Sequence, residues 1–203
     1  VGTRAAIGDV RIRIAARADS AEGAAALIAT MEAEIRRRLG ILIYGVDDET
    51  LQGNTAALLA GKGLRLGTVE TLTGGAIAQR FVGTGSPVFV QGAVLPGADA
   101  QRAFLGCPAD EFETLCREPA RLASALAGTA RRRFGVDVAL ANCGSFQTEA
   151  GKPDCTGESH TALARADAPL ANAQPLGGEP GMVRERATIL AIDLLRRAML
   201  GAA

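Results

Sequence analysis

The chain has 203 residues, 48% of them hydrophobic, and its 22 basic and 22 acidic side chains give a formal charge of zero. That length supports one buried core with room for a small second module. The even charge argues against a nucleic acid as partner, because such binding relies on clustered excess positive charge. No apolar run reaches the ~18 residues of a membrane span and no signal peptide opens the sequence, so the expected compartment is cytoplasmic, with no membrane contact. The four cysteines, Cys107, Cys116, Cys143 and Cys155, include no Cys-x-x-Cys pair, and His160 is the single histidine. Reduced thiols and no metal site or cofactor are therefore expected. Arginine outnumbers lysine twenty to two, the lysines being Lys62 and Lys152. The opening Val1, in place of Met, reads as the interior of a longer protein or as a processed start.

Asp9–Ala15 alternates polar and apolar residues, the period of a half-buried strand. Ser20 is placed to cap a helix over Ser20–Leu39, whose apolar positions Ala24, Leu27, Ile28, Met31 and Ile35 recur at helical spacing. Gly40 ends it and Ile41–Tyr44 reads as a strand, which makes residues 1–47 a small β-α-β module. Asp47 and Asp48 are placed to cap a helix over Glu49–Ala60. Residues 48–203 then alternate between the two kinds of element. Strand Leu64–Val69, helix Gly74–Phe81 and strand Val88–Leu95 come first. A helical region over Ala98–Leu105 follows, then another reaching Phe134 and an apolar strand Val136–Ala141. Asn142–Thr156 reads as a loop long enough to rim a pocket. Glu158–Arg165 is a strand, Asp167–Gly181 a loop or edge strand, and Met182–Met199 a final helix. This rhythm predicts a layered α/β domain. Apolar strands and the short first module also lead us to expect a homo-oligomer.

The most informative stretch is Gly67–Phe81, GTVETLTGGAIAQRF, in which a strand enters a helix through Thr73-Gly74-Gly75. Glycines there let backbone N–H groups approach a ligand, and the helix dipole favours an anion, so a nucleotide or other anion is expected at the Thr73–Gly75 turn. The longer run TVETLTGGAIAQRFVGTGSPVFVQGAV resembles the signature of the C-terminal domain of the competence/damage-inducible CinA family. The likeness continues through Phe104-Leu-Gly106, Ala130–Asp137, Lys152-Pro153 and Val183–Arg197. Residues 1–47 resemble the KH-like module that precedes that domain. The resemblance implies a CinA C-terminal-type fold behind a KH-like module, and an upstream molybdopterin-binding-like domain that this chain lacks. It also implies nicotinamide mononucleotide deamidase chemistry, an amide hydrolysis in which a serine attacks, a lysine is its base, a tyrosine assists and an arginine holds the substrate. A hydroxyl needs such an adjacent base, and the oxyanion that forms needs N–H donors.

Carried over by position, the serine becomes Thr71, the tyrosine Pro96 and the lysine Gln101, while Asn142–Gln147 replaces a family loop and Pro180 an arginine. Thr73, Gly74, Gly75, Gly92, Lys152 and the substrate-holding Arg184 match. Thr71 carries an extra methyl, Pro96 has no hydroxyl, and Gln101 is no base at neutral pH. Each lost role is worth orders of magnitude in rate. The chain is expected to be a degenerate relative, a pseudoenzyme that binds a nucleotide or acts as a scaffold. The alternative is an amidohydrolase with rearranged catalysts, for which Lys152, His160 and Cys143 are the candidates. Cys143 shows no basic partner nearby in sequence. RNA binding is not expected, since residues 1–47 hold no Gly-x-x-Gly loop.

Overall fold

Leu66–Glu70 (β3) is buried along its whole length because it is hydrogen-bonded on both edges, by parallel Phe89–Val94 (β4) and parallel Val138–Thr148 (β5). The computed structural model that places it describes residues 1–148, 153–166 and 169–202. Two further antiparallel strands, Cys155–Ala164 (β6) and Leu170–Gly178 (β7), complete a five-stranded sheet of order β4-β3-β5-β6-β7. The chain leaves β3 toward β4 and later returns to β5 on its other side, so the topological switch point, where open α/β sheets form their ligand crevice, falls at the carboxyl ends of β3 and β5.

Helices cover both faces, a three-layer arrangement. Leu51–Gly61 (α2), Ala76–Val82 (α3) and Pro180–Met199 (α7) pack on one side, where Leu59, Phe81, Leu140, Leu163, Ile192 and Leu195 form the largest apolar cluster. Ala98–Leu105 (α4), Ala109–Cys116 (α5) and Pro119–Phe134 (α6) cover the other. There α6 presents Leu122, Ala123, Leu126, Ala127 and Ala130 at helical spacing to Ala139, Ala141 and Ala162 of the sheet. Pro119 and Pro180 occupy the first turns of α6 and α7, where the missing N–H costs nothing. No helix among the described residues is long and apolar enough to cross a membrane.

The first module differs from the sequence expectation. Gly2–Ala6 (β1) and Asp9–Arg13 (β2) form an antiparallel hairpin followed by Ala21–Leu39 (α1), so the order is β-β-α. The expected strand at Ile41–Tyr44 is replaced by a 3-10 turn over Gly40–Leu42. Its backbone is held from outside, since Arg196 of α7 donates to the Ile41 carbonyl at 2.5 Å. Ser20 does cap α1, accepting from the Gly23 amide. The helix nevertheless buries none of its side chains, and β2 is exposed for most of its length. Asp47 and Asp48 do not cap α2. Thr50 does, accepting from the Gly53 amide at 3.1 Å.

The largest correction concerns the expected loop over residues 142–156. Residues 142–148 continue β5 and pair with 155–161 of β6 in a long hairpin. Two glycines permit the close approach: a Cβ at Gly144 would stand 2.2 Å from the Glu158 carbonyl oxygen, and one at Gly157 would stand 2.1 Å from that of Ser145. Those same glycines weaken the strand pattern in the sequence. The helical stretch before β5 is two helices, α5 and α6, and β7 is the edge strand anticipated in part of 167–181. Gly157→Ala is expected to cost more than ~1 kcal/mol of unfolding free energy in urea titration, because backbone must move to admit the methyl. Gly181→Ala, where the added Cβ meets nothing within 4 Å, should stay within about 0.5 kcal/mol.

Candidate functional site

The crevice is organised by one buried carboxylate. Glu70, the last residue of β3, is fully buried. Its Oε2 accepts from the Thr73 hydroxyl at 2.7 Å, the Gly75 amide at 2.9 Å and the Ile77 amide at 3.0 Å, and its Oε1 accepts from the Ala78 amide at 2.8 Å. These amides belong to the start of α3, where a helix leaves N–H groups unpaired and its dipole favours negative charge. Gly74 and Gly75 have φ of 64° and 100°, a left-handed bend that carries the chain over the carboxylate.

Thr73 and Gly75, two of the residues expected to hold an anion, therefore already serve Glu70. Open capacity remains just before them. Among the described residues, the amides of Leu72, Thr73 and Gly74 donate to no protein acceptor, and the space beside Gly74 is open for 4 Å. Leu72 anchors the turn by packing with Phe146, Cys155, Leu176, Val183 and Ala187.

The residues carried over from the resemblance converge unevenly. Thr71 is tied to β5 by its amide, which donates to the Asn142 carbonyl. The parallel register sets this residue beside the Cys143 thiol of β5. Burial pushes that thiol up to about 12, with the Thr71 hydroxyl pulling the other way. Pro96 and Gln101 follow β4, whose end is joined to β3 by the Leu95 amide donating to the Glu70 carbonyl. The Gln101 side-chain amide donates to the Leu95 carbonyl at 3.1 Å, so it fastens the β4–α4 turn. Arg184 is exposed in the first turns of α7, its guanidinium 5.3 Å from the centre of the Phe146 ring. Gly92 lies in β4 with no room for a side chain, a Cβ there meeting the Thr68 hydroxyl at 2.9 Å. Lys152 lies outside the described residues.

Two relationships were not legible in the sequence. The first is the role of Glu70, which a carboxylate placed directly ahead of a Thr-Gly-Gly helix start could have signalled. The second is a row across three strands. Glu70 pairs with Asn142 in the parallel β3–β5 register, which puts Thr71 beside Cys143, and Cys143 pairs directly with His160 on β6. His160 is buried, with Nε2 3.2 Å from Glu158 Oε2 and with Nδ1 lacking a hydrogen-bond partner among the described residues. On the opposite face Asn142 donates to the Ser159 and Thr161 hydroxyls, fixing the same hairpin from below. Among the described residues no three His, Cys, Asp or Glu side chains are grouped to hold a metal. A larger groove of about 440 Å³ lies away from the turn, between α4 and α5 beside Phe112 and Cys116.

Glu70→Gln is expected to lower unfolding free energy by roughly 3 kcal/mol, since a charged acceptor of four donors becomes a neutral one with a single oxygen. Urea denaturation measures this, and a loss under about 0.5 kcal/mol would contradict the capping role.

The family model described as the CinA C-terminal domain matches residues 48–199, and that of the damage-inducible protein CinA KH domain matches residues 1–45. A CinA-like protein of Kosmotoga olearia is 34% identical over 196 residues, covering 95% of this chain and 48% of its own length. One from Parasynechococcus marenigrum is 34% identical over 207 residues, covering 98% of this chain and 49% of its own length. The chain thus spans about half the length of these curated relatives. Among solved structures, a CinA superfamily protein from Klebsiella pneumoniae superposes with a TM-score of 0.64 at 22% identity, covering 74% of this chain and 96% of that one. One from Escherichia coli gives 0.60 at 21%, covering 78% and 97%. These two likenesses concern the fold of the mixed α/β domain, and the KH-like module rests on the family model for residues 1–45. The chain belongs to the CinA family.

Proposed function

We propose that this CinA domain binds a pyridine nucleotide, or a close relative of one, at the β3–α3 turn without running the hydroxyl–lysine hydrolysis that the family resemblance implies. The observation that carries this reading is the environment of Thr71. Its register neighbour on β5 is Cys143, a thiol that burial pushes up to about 12 and that is therefore no base at neutral pH. The side chain at the lysine position, Gln101, is engaged with the Leu95 carbonyl. An alcohol without a base to take its proton is a poor nucleophile. His160 stands two strands from Thr71, on the order of 10 Å across the sheet, too far to serve that hydroxyl directly.

Binding has separate support. The Thr73 and Gly74 amides point to an uncharged oxygen such as that of a carboxamide, because Glu70 already supplies the negative charge at the start of α3. A phosphate would be held away from that carboxylate, and Arg184 is the exposed cation at the matching position. The same arrangement serves a scaffold that responds to ligand.

The purified protein is expected to release no ammonia from nicotinamide mononucleotide. The nucleotide should nonetheless raise its melting temperature by roughly 5 °C at 100 times Kd, an effect weakened in Arg184→Ala. Sustained ammonia release by the unaltered protein would overturn the non-catalytic reading. An unchanged melting temperature across a series of pyridine nucleotides would overturn the binding reading.

A further inference from the structure

Resting on that reading of the turn, we propose that Phe146 positions Arg184 as a phosphate anchor, which makes the site selective for nucleoside monophosphates over unphosphorylated nucleosides. Two neighbouring positions on one face of β5 carry the argument. Both lie beyond Asn142, where the pairing with β3 ends, so this part of the strand overhangs the β3–α3 turn. Gly144 touches the turn, since an added Cβ there would stand 3.2 Å from Leu72 Cδ2. Phe146 is the next residue on that face, about 7 Å further along the strand. Its ring lies under the Arg184 guanidinium, 5.3 Å from the ring centre. Amides with spare capacity and a cation thus stand one side-chain repeat apart along β5.

Ring and guanidinium are set by one core. Phe146 is half-buried and packs against the cluster of Leu72, Cys155, Leu176, Val183 and Ala187. Val183, the residue before Arg184, is buried in that cluster, so the same contacts fix where α7 presents the arginine. Across the hairpin Phe146 faces Gly157. A Cβ at that glycine would stand 3.0 Å from the Phe146 Cβ, so no cross-strand side chain shares the space beside the ring.

Arg184 differs from the other arginines of α7. Arg196 and Arg197 pair with Asp193, and Arg186 donates to the Gly177 carbonyl. Among the described residues the Arg184 guanidinium makes no ion pair and no hydrogen bond, and the Phe146 ring is its partner. An aromatic face orients a planar guanidinium without neutralising it. The N–H donors stay available for a bidentate grip on phosphate. A side chain already held in place also loses less freedom on binding. The Glu70 carboxylate keeps a phosphate away from the start of α3, so a ligand whose neutral oxygen meets the Thr73 and Gly74 amides extends its charge toward Arg184. A nucleoside without phosphate leaves that cation unused.

The test is calorimetric titration with nicotinamide mononucleotide and with nicotinamide riboside, its unphosphorylated counterpart. Phe146→Leu should weaken the mononucleotide about 10-fold and the riboside less than about 2-fold, while Phe146→Tyr, which keeps an aromatic face, should leave both near the unaltered values. Equal losses for the two ligands, or no loss for either, would overturn the proposal. Inorganic phosphate, followed on the Arg184 Nε–H signal by NMR, reads the anchor without any nucleoside. That signal should move in the unaltered protein and in Phe146→Tyr, and stay in place in Phe146→Leu. If the mononucleotide does not bind while phosphate still gives this pattern, the pyridine-nucleotide reading falls and the positioning of Arg184 stands. A signal indifferent to phosphate, or moved equally in all three proteins, overturns the positioning role even where the nucleotide binds.

Discussion

A single buried carboxylate organises the upper edge of this protein. Glu70 ends the central strand, and without its donors it would be an uncompensated charge in the core. With them, it joins the end of β3 to the start of α3 and fixes the left-handed bend through Gly74 and Gly75. Its main-chain carbonyl accepts from Leu95, so the end of β4 is drawn to the same point. Removing the charge would loosen the three segments that meet at the crevice. The same arrangement has a chemical consequence: a helix terminus that already holds a carboxylate is a poor place for a second anion. The amides of Thr73 and Gly74 are better matched to a neutral oxygen, and the charge of a phosphate belongs elsewhere.

Around that fixed frame stand the three positions to which the family resemblance assigns the reaction. Thr71, Pro96 and Gln101 each have a well-defined structural position, but none supplies a basic nitrogen to an alcohol. Gln101 fastens a turn, and Thr71 stands in register beside a buried thiol. Packing and backbone geometry constrain Gly74, Gly75 and Gly92 whatever the ligand does. Fold and reaction are separable in widely used architectures.

The sequence displayed most of the frame and less of the site. Alternation of apolar strands and helices was enough for a layered α/β domain, and the Ser20 cap and the final helix were legible from local signals. Where sequence failed, tertiary contacts had overruled local pattern. Ile41–Tyr44 has strand composition, but Arg196 captures its backbone in a 3-10 turn. Residues 142–148 look like a loop because Gly144 breaks the alternation, yet glycine is what lets β5 and β6 approach so closely. That hidden hairpin also concealed the site's most unexpected feature. Cys143 and His160, each unremarkable alone, become neighbours only through a register that no spacing in the chain announces.

The claim on which the account rests is that Glu70 keeps its donors while a ligand uses the amides that remain. Amide-resolved NMR titration with nicotinamide mononucleotide addresses it directly. The account predicts shifts at Thr73 and Gly74, with Gly75, Ile77 and Ala78 still protected from exchange by the carboxylate. Loss of protection at Ile77 and Ala78, or shifts confined to a distant surface such as the α4–α5 groove, would contradict it.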